Sequence, residues 1–244
     1  MSANVKTGGS AAYPIEGFDW LAGFDPEFEK ARRALAGIVW DPKRGALPLR
    51  YREIVASVAL AFMAYPTCET HIRRALAAGA KFREIVEAMQ LVCVPGGHPC
   101  LHWAMPALKA IQIELGDKAN EGMGSGEAQP AKTVGPSFTV WPWMQQNYPE
   151  YEAARGALGT LLWTPQNPIL AVKYREIMAT AILALRFYPT VPSHMRRAIE
   201  EGATVAELLE AIQVAALLGG MAVLHFCLPF LKELQEEVEK GKVA

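Results

Sequence analysis

No segment of the chain alternates apolar and polar residues with the enrichment in Val, Ile and Thr that is typical of β-strands. Apolar residues instead cluster in stretches of helical length, about five in each half of the chain. The pattern therefore predicts an all-α fold. One stretch, residues 54–65, is apolar on nearly every helical face, and a helix without a polar side must be buried all round.

The chain contains an internal repeat. When the sequence is aligned with itself at an offset of 123 residues, Trp20–Leu108 pairs with Trp143–Leu231 without a gap, and 37 of 89 positions are identical. Self-similarity of this length indicates a duplication. We predict a first repeat over residues 15–115 and a second over residues 138–238.

The segments outside the repeats show no hydrophobic periodicity. Residues 1–14 lack the apolar run of a secretory signal, which predicts a disordered tail. Residues 116–137 are rich in Gly, Ser and Ala, which predicts a flexible linker.

Single residues within the repeats predict helix ends. Pro26 is predicted to begin a helix in the first repeat, and Pro149 in the second. Gly79 and Gly202 are predicted to end helices in the left-handed conformation.

Charge and composition limit the expected partners. The chain has 24 Lys and Arg against 25 Asp and Glu and no basic cluster, so we expect no nucleic acid partner. Its longest apolar stretch is about half of the ~20 residues that a membrane helix requires, so we expect no membrane contact. The cysteines stand where the other repeat has Val or Ala, which does not suit disulfides and predicts a cytoplasmic location. They are Cys68, Cys93, Cys100 and Cys227.

The segments His71–Gly97 and His194–Gly220 carry the most specific pattern. Each begins with His-x-Arg-Arg, passes through a helix-ending glycine and closes on Gly-Gly, and each follows a Tyr-Arg-Glu-Ile motif at the head of the apolar helix. Over about half of the chain this arrangement resembles the carboxymuconolactone decarboxylase family, which includes the alkylhydroperoxidase-D-like proteins. The resemblance implies tandem helical units whose apolar helix packs into an oligomer core. A homotrimer of this chain would then be a pseudo-hexamer of repeats.

The resemblance also bears on the chemistry. Peroxidase-like members carry a Cys-x-x-Cys pair that would map to Ala64 and Thr67, and to Phe187 and Thr190 in the second repeat, and all four positions lack sulfur. Cys68 is displaced by one position, and a dithiol cycle needs two thiols within reach of each other. The resemblance therefore implies the decarboxylase branch: a cofactor-independent lyase with acid–base chemistry on a small carboxylated lactone or aromatic-catabolite acid.

Histidines retained in both repeats are the first candidates for proton transfer. His71 and His194 lie in the first turns of the third helix of each repeat, where a neutral imidazole beside a bound carboxylate is a usable general acid or base. His102 and His225 follow the Gly-Gly pairs by five residues. If the third and fifth helices pack together, they would add a second imidazole to each site.

Glu53 and Glu176 match the glutamate at the head of the family's apolar helix, where the resemblance implies a part in a proton relay. A simple antiparallel hairpin would place Glu53 roughly 12 Å along the helix from His71. We therefore expect a bent path, a water or a neighbouring subunit to bridge them. Otherwise Glu53 would form an ion pair with Arg52 or Arg73.

Arginines and tyrosines complete the predicted binding site. Arg73 and Arg196 could hold a substrate carboxylate with two hydrogen bonds, whereas the next residue in each repeat, Arg74 or Arg197, is expected to face water or a partner subunit. A phenolic donor for a developing enolate could come from the tyrosines that end the apolar helices. These tyrosines are Tyr65 and Tyr188.

Other retained residues have structural explanations. Four glutamates are expected to cap helices or to face solvent: Glu84, Glu87, Glu207 and Glu210. His98 and His102 have a spacing that zinc uses, but Met221 replaces His98 in the second repeat, so we predict no metal site. The alternatives to a lyase are a non-catalytic trimeric protein that binds a small acid, a thiol peroxidase using Cys68 alone, and a metal-dependent member of the family.

Overall fold

The structure is a computed structural model that describes residues 18–121, 142–163 and 168–243. Over these ranges it contains thirteen α-helices, one 3-10 helix and no strand. The predicted all-α fold is therefore confirmed. The predicted disordered tail, residues 1–14, lies outside the described residues, as does most of the predicted linker.

The helices follow the same order in the two repeats. The first repeat contains α1 (Phe18–Phe24), α2 (Pro26–Trp40), α3 (Leu49–Phe62), α4 (Cys68–Ala77), α5 (Phe82–Leu91), α6 (Cys93–Gly96) and α7 (His98–Leu115), followed by a 3-10 helix (Gly116–Asn120). The second contains α8 (Pro142–Asn147), α9 (Pro149–Trp163), α10 (Val172–Ala184), α11 (Val191–Glu200), α12 (Val205–Gly219) and α13 (Ala222–Glu239). The residues first predicted as linker thus begin with a 3-10 helix rather than with irregular chain.

Four helix ends lie where local sequence signals predicted them. Pro26 and Pro149 are the first residues of α2 and α9, where a missing backbone N–H costs nothing. Gly79 and Gly202 follow α4 and α11 with positive φ angles of 90° and 94°. This left-handed conformation lets the next backbone N–H bond back into the helix, which ends it.

The apolar helices α3 and α10 end in the same left-handed turn, but without glycine. Ala64 has a φ of 63° and Phe187 a φ of 55°. The following N–H, that of Tyr65, donates to Leu60 O at 2.8 Å, and the second repeat forms the equivalent bond. This turn directs the chain from α3 into α4.

A proline breaks the helix before the Gly-Gly pair in one repeat only. Helix α12 runs unbroken to Gly219, whereas the first repeat divides the same stretch into α5 and α6 at Val92. Pro95 occupies the position of Leu218 and has no N–H to donate to the preceding turn. The two repeats therefore share an architecture but differ beside this segment.

Helices α3 and α10 form the centre of the molecule. Every residue from 51 to 62 in α3 is buried, as is every residue from 175 to 184 in α10. Helix α3 packs on α4, α5 and α7 of its own repeat and on α10 and α12 of the other. The two repeats of one chain bury the helix between them, which accounts for its all-round apolarity without an oligomer core. No helix in the described ranges is both long and apolar enough to cross a membrane.

Equivalent residues of the two repeats meet each other at the interface. The rings of Tyr51 and Tyr174 stack with centroids 3.5 Å apart. On their outer sides lie the guanidinium of Arg50 and the ammonium of Lys173, each 4.7 Å from the nearer ring centroid. When equivalent positions of two units contact each other, the units are related by a twofold rotation. A pseudo-twofold axis therefore passes between the two tyrosines.

Reciprocal glutamate contacts support the same symmetry. Glu210 accepts a hydrogen bond from the backbone N–H of Leu47 at 2.8 Å, and Glu87 accepts one from Leu170 at 3.0 Å. Glu87 also pairs with the buried guanidinium of Arg175. These two carboxylates are buried, so the expectation that they cap helices or face solvent was wrong.

The other two glutamates cap helices as predicted. Glu84 accepts a hydrogen bond from the backbone N–H of Lys81 at 2.8 Å, and Glu207 accepts one from Thr204 at the same distance. Each carboxylate thereby satisfies a donor that the helix itself leaves unbonded.

Candidate functional site

A histidine and a glutamate meet in the interior of each repeat. His71 lies in the first turn of α4, and its Nδ1 is 2.7 Å from Glu53 Oε2 near the start of α3. His194 Nδ1 is likewise 2.7 Å from Glu176 Oε2. The predicted candidate pairs are therefore in direct contact in both repeats.

This contact corrects the expected separation of Glu53 and His71. The estimate of roughly 12 Å of helix rise assumed that α3 and α4 form a strictly antiparallel hairpin. The 2.7 Å contact shows instead that the first turn of α4 lies beside the early turns of α3, so α4 does not start at the level of the end of α3 as that hairpin assumed. Three ways to join the pair were expected: a bent path of the chain, a water or a neighbouring subunit. The direct contact within one chain fits the first and needs neither of the others.

The contact orients the imidazole. An ionised carboxylate is only an acceptor, so Nδ1 of a neutral imidazole carries the proton and the ring lone pair lies on Nε2. When the ring gains a second proton, the adjacent carboxylate stabilises the resulting imidazolium. The pair can therefore accept and return a proton with the ring held in one orientation.

An arginine completes each cluster. Arg74 Nε lies 3.1 Å from Glu53 Oε1, and Arg197 Nη1 lies 2.6 Å from Glu176 Oε1. Each carboxylate thus contacts the histidine with one oxygen and the arginine with the other. The expectation that these arginines face water or a partner subunit was wrong for Arg197, which is buried, and holds in part for Arg74, which contacts Glu53 and is also partly exposed. Since Arg74 follows His71 by three residues, the i,i+3 spacing already placed both on one helical face.

A tryptophan packs beside each histidine and was not among the predicted site residues. The ring centroids of Trp40 and His71 are 5.4 Å apart, and those of Trp163 and His194 are 5.1 Å apart. Each tryptophan is the last residue of its helix. Buried Arg52 donates to a carbonyl at the end of α2 at 2.7 Å, which holds that end in place. Both repeats have tryptophan at this position, and that retention was the signal in the sequence that could have identified these residues.

The two clusters differ in which group reaches solvent. The side chain of Arg74 is 35% exposed, whereas that of Arg197 is 6% exposed. The histidines differ in the opposite sense, since His71 is 6% exposed and His194 is 13% exposed. The first cluster therefore presents a cation to solvent, and the second presents more of its imidazole.

The structure does not bring the predicted carboxylate-binding arginines to these clusters. Arg73 donates to Glu114 at 2.6 and 2.9 Å and also to Glu69, and these hydrogen bonds raise the pKa of its guanidinium. Arg196 donates to Glu237 at 2.7 and 2.8 Å. These ion pairs are partly exposed and join α4 to α7 and α11 to α13. Because Arg73 and Arg196 already bind carboxylates of this chain, the structure does not favour their predicted role in binding a substrate carboxylate.

The remaining predicted site residues lie at the surface. His102 and His225 are exposed on α7 and α13, whereas His71 is buried. Tyr65 and Tyr188, in the turns that follow α3 and α10, are also exposed. Their predicted roles, a second proton carrier and an enolate donor, stay predictions that the monomer geometry does not support.

Cys68 and Cys227 are unsuited to nucleophilic chemistry. All four cysteines are free thiols. Cys68 is fully buried, and burial raises the pKa of its thiol to about 11. Burial raises that of Cys227 to about 12. A thiol rather than a thiolate is present at neutral pH, and only the thiolate is a good nucleophile.

The structure shows no metal site among the described residues, where no group of three His, Cys, Asp or Glu side chains could hold an ion. The pair His98 and His102 therefore gains no third ligand there.

Comparison with known proteins decides the family. The model of the carboxymuconolactone decarboxylase family matches residues 26–110 and again residues 149–233, well over half of the chain. The chain belongs to the carboxymuconolactone decarboxylase family. The matched ranges contain the residues of both Glu-His-Arg clusters and both tryptophans.

A solved structure supports the fold of this family member. It is a protein from Burkholderia xenovorans LB400 provisionally designated a gamma-carboxymuconolactone decarboxylase subunit, with 24% sequence identity and a TM-score of 0.58. The similarity covers 91% of each chain, so the tandem arrangement as a whole is shared. No curated protein matches the sequence.

Proposed function

We propose that the protein is a cytoplasmic, cofactor-independent carboxy-lyase that acts on a small carboxylated lactone or aromatic-catabolite acid. The observation that carries the proposal is the 2.7 Å contact between histidine and glutamate, formed in the interior of both repeats. Family membership supports decarboxylase-like chemistry. The four free thiols suit a reducing compartment.

The chemistry requires proton delivery after carbon dioxide leaves. The electron pair of the broken C–C bond passes into an adjacent carbonyl or lactone and forms an enolate or carbanion, which an acid must protonate. His71, as the imidazolium stabilised by Glu53, would be that acid and would then recover its proton from water. His194 and Glu176 have the same contact in the second repeat.

Arg74 is better placed than Arg73 to bind the substrate anion. Its guanidinium lies next to the His71 cluster, is partly exposed, and sits 5.9 Å from the centre of the Trp40 ring. A cation there would attract a carboxylate, and the indole face would pack against an apolar ring. Because Arg197 is buried on Glu176, we assign the productive site to the first repeat.

We also propose that the chain assembles as a homotrimer. Helices α2 and α9 carry apolar side chains at equivalent, solvent-exposed positions, among them Leu35 with Leu158 and Ile38 with Leu161. Matching exposed apolar faces on two repeats suit a closed ring of repeats. Light scattering of the purified protein would give about three times the chain mass if this is correct, and the mass of one chain would contradict it.

A second candidate is a protein that binds a small acid without turnover. The burial of both His71 and Glu53 favours it, because a fully packed ion-pair network can serve stability alone. It predicts saturable ligand binding with no product.

The test is an assay for release of carbon dioxide from a panel of carboxylated lactones and aromatic acids. The variant His71→Asn with His194→Asn should lower kcat by about 10²- to 10⁴-fold, the usual contribution of a general acid. His98→Asn is the matched control, because it removes a histidine that only one repeat has and that lies outside both clusters. Full activity in the double variant would contradict the assignment, and binding without product would favour the second candidate.

A further inference from the structure

The arginine that precedes each cluster glutamate in sequence reaches away from it, to the helix end that carries the tryptophan. In α3 the guanidinium of Arg52 donates to the carbonyls of Val39 at 2.7 Å and of Asp41 at 2.8 Å. These two residues flank Trp40, which packs beside His71. The last carbonyls of a helix have no donor within the helix, and a cationic side chain can supply one. Arg52 therefore fixes the end of α2 on both sides of the indole.

The second repeat has the same arrangement. Arg175 donates to the carbonyl of Leu162 at 3.1 Å and to that of Leu170 at 3.1 Å. Leu162 is followed by Trp163, whose ring centroid is 5.1 Å from that of His194. In both repeats, one buried guanidinium thus holds the helix end from which the indole extends to the histidine.

The burial of Arg52 is costly. It is 1% exposed, and in the described ranges all three of its hydrogen bonds go to main-chain carbonyls. Burial lowers the pKa of its guanidinium, so the charged form is less stable there than in water. What arginine adds at this position is geometry, because its planar fork holds two carbonyls at once and a lysine ammonium has no such fork.

The second repeat adds a carboxylate that belongs to the first. Glu87 on α5 pairs with the guanidinium of Arg175. The equivalent carboxylate, Glu210, forms no salt bridge with Arg52 within the described ranges. The indole beside His194 is therefore held by a series of contacts that begins in the other repeat.

We infer that Arg52 and Arg175 are positioning residues of the two clusters: each holds the indole against its histidine, and Glu87 supports Arg175 from the other repeat. An indole packed beside an imidazole limits the rotation of that ring, which the cluster glutamate already contacts at Nδ1. With both contacts in place, Nε2 is presented to a substrate in one direction. The inference rests on the proposed function for the catalytic value of this arrangement, but the contact itself is measurable without turnover.

Proton NMR of the full chain measures the contact, because the ring current of an indole displaces the C–H resonances of a neighbouring imidazole. The single variants His71→Asn and His194→Asn identify the two histidines among the five in the chain. Trp40→Leu and Trp163→Leu give the resonance positions without the indole. Spectra are recorded at about pH 8.5, where imidazoles are ordinarily neutral.

Replacing the fork should release the indole in one repeat only. Arg52→Lys keeps the charge, so the His71 resonances should move most of the way to their position in Trp40→Leu, while those of His194 stay in place. Arg50→Lys is the matched control in the same helix, because Arg50 donates to a tyrosine hydroxyl rather than to α2. It should leave the resonances of both histidines unchanged.

The second repeat tests the inference even if Arg52→Lys does not fold. Arg175→Lys should move the His194 resonances alone. Glu87→Gln keeps the shape and an acceptor oxygen but removes the charge, so it should move the same resonances by a smaller amount. Unmoved His194 resonances in folded Arg175→Lys, or equal movement of both histidines in any of these variants, would overturn the inference.

Assays of carbon dioxide release on the same variants separate this inference from the proposed function. With a substrate found in the panel, Arg52→Lys should lower kcat/KM by about 10- to 10²-fold, as misplacement of a reacting group does. Full kcat/KM in a variant whose His71 resonances have moved would contradict the positioning role. If no acid in the panel is turned over while the resonances move as expected, the lyase proposal fails and the assignment of the contact stands.

Discussion

Glu53 and His71 are separated by 18 residues and belong to different helices, yet their side chains meet at 2.7 Å. The contact is repeated between Glu176 and His194. A carboxylate that orients an imidazole and stabilises its protonated form is the usual partner of a histidine general acid. The contact therefore connects the packing of two helices directly to the proposed chemistry.

Replacing the glutamate should lower turnover more than substrate binding. In Glu53→Gln the amide retains the shape but no longer stabilises an imidazolium, so we expect kcat to fall by about 10²-fold with KM changed by less than about threefold. Steady-state kinetics with the substrate found in the panel would measure both. Glu176→Gln should have the smaller effect if the first repeat is the productive one. Glu69→Gln, on the exposed side of α4, is the control, and an equal loss there would show that the effect is not specific.

The two adjacent arginines should behave differently. Arg74→Ala removes a cation that contacts Glu53 and is proposed to bind substrate, so KM should rise by about tenfold or more. Arg73→Ala removes an exposed ion pair with Glu114, and surface pairs contribute little, so kinetics should be unchanged. The same measurement on both variants checks the prediction. The opposite ranking would restore the role first predicted for Arg73.

The two interface glutamates should contribute unequally to stability. Glu87→Ala leaves the buried guanidinium of Arg175 without its carboxylate partner, which costs about 3–5 kcal/mol in similar cases. Glu210→Ala should cost less, about 1–3 kcal/mol, because its nearest cation, Arg44, is 3.8 Å away and partly exposed. Urea unfolding monitored by circular dichroism would give both values. Equal losses would show that Arg175 is satisfied by other groups.

The buried thiols should make the protein less stable at alkaline pH. The folded-state pKa of Cys68 is about 11, above the ordinary value of 9.0, so between these pH values the unfolded chain loses a proton that the folded chain keeps. Stability is therefore full below about pH 9 and falls as pH rises towards 11. Cys68→Val, which copies Val191 of the second repeat, should reduce this fall in a series of thermal unfolding curves. An unchanged slope would contradict the predicted shift.

Local patterns were sufficient for the architecture. Helix starts at Pro26 and Pro149 and stops at Gly79 and Gly202 depend on the conformations of single residues, which sequence reports directly. The duplication is visible because 37 aligned positions are identical. The candidate histidines and glutamates could be named for the same reason, since both repeats retain them.

The clusters themselves depend on how helices cross and rotate. Whether Arg73 or Arg74 faces Glu53 is decided by a rotation of about 100° per residue about the α4 axis, and that rotation is set by packing against α3. The same packing of α4 on α3 places His71 beside Glu53.

The burial of two glutamates depended on the other repeat. Glu87 and Glu210 read as surface or capping residues in the sequence, because nothing in their own helices shows that a second repeat covers them. The sequence alone therefore determined the helices, the repeat and the chemical groups available. The packing of helices, within each repeat and between the two, determined which of those groups meet, because side-chain contacts between distant segments follow from packing rather than from local conformation.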